Sequence, residues 1–168
     1  MHRLVQNINQ FTNKVGQGVS WISLILVILI GMDVVLRYAF NWSSSANQEL
    51  EWHLFAALFL LGAAYALKHD KHVRVDVFYS QFSATQKAWV NLVGTLVFLI
   101  PFCTVIIQTS IPFVIDAWKI SESSAEPGGL PYRFIIKSTI PASAILLLTQ
   151  AISEGLSALA TILNREAR

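Results

Sequence analysis

Charge is scarce in this chain: Asp, Glu, Lys and Arg together make up 13% of 168 residues, about half the share of an ordinary soluble domain, roughly 25%. With 54% hydrophobic residues and a mean hydropathy of +0.54, that shortage excludes a water-soluble globule and points to an integral membrane protein. Cysteine is nearly absent. Cys103 is the only one and sits in an apolar run, which excludes a disulfide framework and a thiolate metal site and leaves packing as its role. The formal net charge is only +2, and no basic patch is interleaved with aromatics, so nucleic acid is not an expected partner. Also missing are a Ser/His/Asp or Cys/His arrangement, a glycine-rich phosphate loop and a metal-binding helix motif; no catalytic residue and no resident cofactor is assigned. The length suits one small bundle and no separate soluble domain.

What is present is organised around Glu49 to Asp76, an acidic lip followed by an alanine-rich apolar run and a basic exit. Leu54 to Leu67 gives fourteen uncharged residues, about 21 Å of helix against a hydrocarbon core of roughly 30 Å. The span must therefore begin earlier, near Gln48, with Glu49, Glu51 and His53 in its first turns. His53, Ala56, Ala57, Leu60, Ala63 and Ala64 share one helical stripe. Small side chains let helices approach closely in lipid, so the stripe is expected to be covered by other helices.

Four spans are expected, at about 15–40, 48–67, 86–118 and 132–163, in an all-α membrane domain covering residues 1–168. Residues 1–14 read as a short interfacial helix that serves as an anchor, carrying Leu4, Val5, Ile8 and Phe11 at helical spacing. The apolar stretch that follows shows no cleavage motif, so a signal peptide is not expected. Between spans two and three, VRVDVFYSQF places Val75, Phe78, Tyr79 and Phe82 on one side of a short interfacial amphipathic helix. Ser83 precedes Gln86 at capping-box spacing. Pro101 and Pro112 should kink or fray the third span, and Pro131 suits the first turn of the fourth.

Orientation follows from the basic residues. Arg3, Lys14, Lys68, Lys71, Arg74, Lys87, Arg165 and Arg168 fall on one side, against Arg37, Lys119, Arg133 and Lys137 on the other. Positive residues stay cytoplasmic, so both termini are expected inside and the acidic lip outside. Trp21, Trp42, Trp52, Trp89 and Trp118 read as an interfacial aromatic belt.

Glu49 and Glu51 could bind an ion, but a helix start favours carboxylates, and partner contact or pairing with Arg37 is the preferred reading. Asp33 and Arg37 lie at i, i+4 and suit an ion pair. Haem ligation by two histidines is geometrically poor, because only His53 lies within a span. Duplicated halves, paired broken helices and mid-span carboxylates, the marks of a complete transporter, are absent. The residues alone thus describe an accessory or scaffold subunit of a membrane complex. Two alternatives stay open: a haem-bearing or structural anchor of a redox enzyme, and a small self-sufficient carrier.

Three segments add a resemblance. RYAFN with its following ELEW, FLLGAAYALKHDKHVRVDVFY, and SESSAEPGGLPYRFIIKSTIPASAILLLTQ resemble the small membrane subunit (DctQ-like) of tripartite ATP-independent periplasmic (TRAP) transporters, over about Arg37 to Gln150. The resemblance implies a four-helix subunit of a bacterial or archaeal cytoplasmic membrane. Its partners would be lipid, a large transmembrane transport subunit and a periplasmic substrate-binding protein, in sodium-driven uptake of an organic acid. Sodium and substrate sites would lie in the large subunit, expected here as a separate polypeptide, with no cofactor in this chain. By the same resemblance, Arg37, Glu49 and Glu51 match a charged cluster at the outer ends of the first two spans, and His72, Arg74 and Asp76 a cytoplasmic turn. Glu122, Gly128, Gly129, Pro131 and Lys137 match the last outer loop and the start of the following helix. The stripe of His53, Ala56, Ala57, Leu60, Ala63 and Ala64 is then expected to help dock the large subunit, with the charged residues fixing its depth and orientation. Which organic acid is carried is not written in this chain.

Overall fold

The computed structural model describes residues 2–69, 79 and 81–166. Four helices among them are long and apolar enough to cross a membrane, and no strand occurs among the described residues. The chain is thus an all-α membrane domain. The expected interfacial helix between spans two and three lies almost wholly outside the described residues.

Helix α1 runs unbroken over His2–Phe40. No proline interrupts it, so the polar first turns continue the same rod and form no separate interfacial helix. It stops where Asn41 turns to φ +49°, a left-handed conformation that Asn tolerates better than most residues. Helix α2 follows over Ser45–Lys68, starting three residues ahead of Gln48. Gly16 allows α1 and α2 to meet: a Cβ there would fall 2.2 Å from Cδ2 of Tyr65.

Helix α3, Ala84–Lys119, opens on the expected capping box. The Gln86 N–H donates to Ser83 Oγ at 3.3 Å and the Ser83 N–H to Gln86 Oε1 at 2.8 Å. Its middle widens into a π turn over Thr95–Leu99, closed by the Ile100 N–H on the Thr95 carbonyl. The cause is Pro101, which lacks a donor and whose ring would press on the carbonyl four residues back; an extra residue in the turn relieves both faults. Pro112 stays inside the continuing helix. At the far end, Ser121 adopts φ +48°. The Glu122 N–H reaches the Ala117 carbonyl at 2.9 Å and the Ser121 N–H that of Trp118 at 3.0 Å, a Schellman stop.

Helix α4, Phe134–Glu166, packs on each of the other three. Pro131 lies ahead of it, separated by Tyr132 at φ +60°, so the fourth helix begins later than the proline suggested. The buried core is small-sided, with Ala64, Ala88, Ala117, Ala144, Ala151 and Ala158 in the seams, while large apolar residues such as Phe59, Phe98 and Trp118 point outward. This inversion of a soluble core is what lipid demands. Burying apolar surface gains little there, so close packing and interhelical hydrogen bonds hold the bundle.

One polar knot does that work near the Lys68 end of the bundle. Gln150, fully buried on α4, accepts from Thr12 Oγ1 at 2.9 Å and donates to Asn9 Oδ1 at 3.1 Å and Glu154 Oε1 at 3.1 Å. Ser153 donates to the same Asn9 oxygen at 3.2 Å, and Lys68 Nζ to the Asn9 carbonyl at 2.8 Å. The polar first turns of α1 are therefore tied to both α2 and α4.

Candidate partner-docking end

At the opposite end, four helix ends and the 120–133 loop come together. The loop folds back on itself through the Ser124 N–H on the Leu130 carbonyl at 3.0 Å and the Arg133 N–H on the Glu122 carbonyl at 2.8 Å. Its tip is a tight turn with Pro127 and Gly128 at the centre, closed by the Gly129 N–H on the Glu126 carbonyl at 3.0 Å. Gly128 has φ +75°, as a type II turn requires at that position.

Glu49 fastens this loop to α2. Its Oε1 accepts the Ser124 hydroxyl and its Oε2 the Leu130 N–H at 2.7 Å. Gly129 makes the approach possible, since a Cβ there would lie 2.5 Å from Ser124 and 3.0 Å from the Glu49 oxygen. Glu122 pairs with Lys137 on α4, and the same ammonium sits 3.9 Å from the centre of the Phe113 ring on α3. One loop thus joins α2, α3 and α4.

Beside the clasp is a cavity of about 450 Å³ lined by Gln48, Glu49, Trp52, His53 and Arg133, among others. The Arg133 Nε is buried without a hydrogen-bond partner. His53 is separated from His69, just past the far end of α2, by sixteen residues, roughly 24 Å at 1.5 Å per residue.

Across α2, Arg37 pairs with Asp33. It pairs with neither Glu49 nor Glu51, so the ion pair expected within the acidic lip is made inside α1. Asp33 is 2% exposed. Its Oδ1 and the Oε1 of Glu51 are buried and accept no hydrogen bond.

The small-residue stripe faces the chain's own bundle. Ala56, Ala57, Leu60 and Ala63 are half-buried and Ala64 is buried, in a helix that packs on α1 and α4. The open face of α2 carries aromatics instead: Trp52 is 76% exposed, Phe55 61% and Phe59 72%. Gathered at this end are Arg37, Glu49, Glu51, His53, Glu122, Gly128, Gly129, Pro131 and Lys137. His72, Arg74 and Asp76 lie outside the described residues.

Comparison with known proteins places this architecture. The family model "Tripartite ATP-independent periplasmic transporters, DctQ component" matches residues 26–161. The chain belongs to the DctQ family. A Haemophilus influenzae protein described as a TRAP transporter small permease protein is 32% identical over 146 residues, covering 86% of this chain and 90% of its own. The family match takes in the later part of the first span of this DctQ chain, the second and third spans whole, nearly all of the fourth, and the whole clasp, from Arg37 to Lys137. It leaves outside the start of α1 that carries Asn9 and Thr12. Sequence reasoning passed over Ser124, Leu130, Arg133 and Gln150, residues of the DctQ chain whose part depends on what the fold brings near them.

Proposed function

We propose that this DctQ chain is the non-catalytic small subunit of a sodium-coupled, binding-protein-dependent uptake system for organic acids. It anchors the large transport subunit in the inner membrane. The family supplies the transporter setting. One observation carries the scaffold reading: among the described residues the interior of the bundle is packed mainly with small side chains and tied by interhelical hydrogen bonds at the Lys68 end, while large aromatic side chains point outward. A carrier that works alone needs a polar path between helices; a frame needs a stiff body and an outer face for its partner.

Both termini face the cytoplasm in this reading, following the basic residues at the Lys68 end. The Glu49 clasp then faces outward, where the binding protein delivers substrate. Sodium and substrate are held by the large subunit, and this chain carries no cofactor of its own. Copurification tests the assembly. The tagged chain coexpressed with an untagged large subunit should bring it down in a fixed ratio in mild detergent. Recovery of the small subunit alone, under conditions where both are made and inserted, would contradict the reading.

A further inference from the structure

A groove of about 460 Å³ runs between α1 and α2, lined by Leu26, Ile30, Glu51, Trp52, Phe55 and Ala56. It is apolar apart from one carboxylate. Among the described residues the Glu51 side chain has no hydrogen-bond partner, and its Oε1 is buried at the seam. The charges acting on it are Asp33 and Arg37, already joined to each other as an ion pair. Two carboxylates therefore face one guanidinium, and both carry a buried oxygen that accepts nothing. With Glu51 ionised, these three side chains hold one more negative charge than positive.

Hydrocarbon cannot supply the balancing positive charge, and a carboxylate left among Leu26, Ile30, Trp52 and Phe55 is unfavourable without a donor. We infer that this groove is where the large transport subunit docks, laying a transmembrane helix along the α1–α2 face and directing a lysine or arginine from that helix onto Glu51. This rests on the scaffold reading and says which face serves it. The rest of the surface agrees: the exposed rings of Trp52, Phe55 and Phe59 extend the groove along α2, and rigid aromatics beside a desolvated charge are the usual anchors of an interface. Arginine fits best, since its planar fork can serve two carboxylate oxygens at once.

The test uses the chain coexpressed with its large subunit and reads the molar ratio after purification by a tag on this chain. Glu51→Gln should lower the recovered large subunit several-fold and Glu51→Lys at least tenfold, while Asp116→Asn on the exposed face of α3 leaves it unchanged. Reversing one basic residue of the large subunit to glutamate should restore binding to Glu51→Lys and so name the contact. A second measurement is independent of these variants. Trp52→Cys in a Cys103→Ser background should react with a maleimide in the isolated chain and be protected in the complex.

An undiminished ratio for Glu51→Lys, or equal labelling of the cysteine in both states, overturns the proposal while leaving the scaffold reading standing. Failure of the wild-type pair to copurify overturns both. If Glu51→Lys keeps the subunit ratio but strips an amine-headed phospholipid from the purified chain, the occupant is a lipid and the proposal is wrong.

Discussion

Glu49 shows how much one side chain decides. Sequence position alone makes it an acidic residue in the first turns of a helix, stabilised by the helix dipole; the fold makes it the peg on which a loop more than seventy residues away hangs, through Ser124 and Leu130. Glu49→Ala should leave the Leu130 N–H without its acceptor, at a cost of about 1–3 kcal/mol. Thermal unfolding in detergent should show it, and limited proteolysis should cut the 120–133 loop faster. Gly129→Ala should mimic the effect with Glu49 intact, because the added methyl must displace Ser124. Wild-type melting and loop protection in both variants would mean the clasp is incidental. The sequence singled out Glu49 and Gly129 in two separate segments, but that the two meet, and that Ser124 joins them, was not legible there. The Asp33–Arg37 pair was legible, because i, i+4 spacing within one helix fixes proximity.

The elements themselves were easier to read. Long apolar runs, the Ser83 capping box and the proline positions are local signals, and they placed four helices and the disturbance near Pro101. The stripe from His53 to Ala64 shows the limit of periodicity: it states which residues share a face and is silent on whose helix covers that face. The chain's own α1 and α4 do so. Gln150 was likewise hidden, since a lone glutamine in an apolar run shows its part only beside Asn9 and Thr12. Gln150→Ala should remove its hydrogen bonds to α1, each worth about 0.6 and at most about 1.7 kcal/mol in a membrane setting. The melting midpoint should fall, and trypsin should reach Lys14 sooner. Gly16→Leu should act on the same helix from the other side, forcing α1 off Tyr65. Unchanged melting in both would show that the start of α1 is not tied to the bundle.

At the scale of the whole molecule, the chain is stiff within and open without. A polar knot locks one end, a loop clasp locks the other, alanines close the seams between them, and the large aromatics look outward. Such a body suits the role proposed for it, a fixed frame against which a larger subunit moves. The most direct test is sodium-driven uptake of organic acids into liposomes, with the small subunit, the large subunit and the binding protein each omitted in turn. Uptake should require all three, and the small subunit alone should give none. Uptake by this chain alone would contradict the account at its centre, and so would full uptake by the large subunit and binding protein without it.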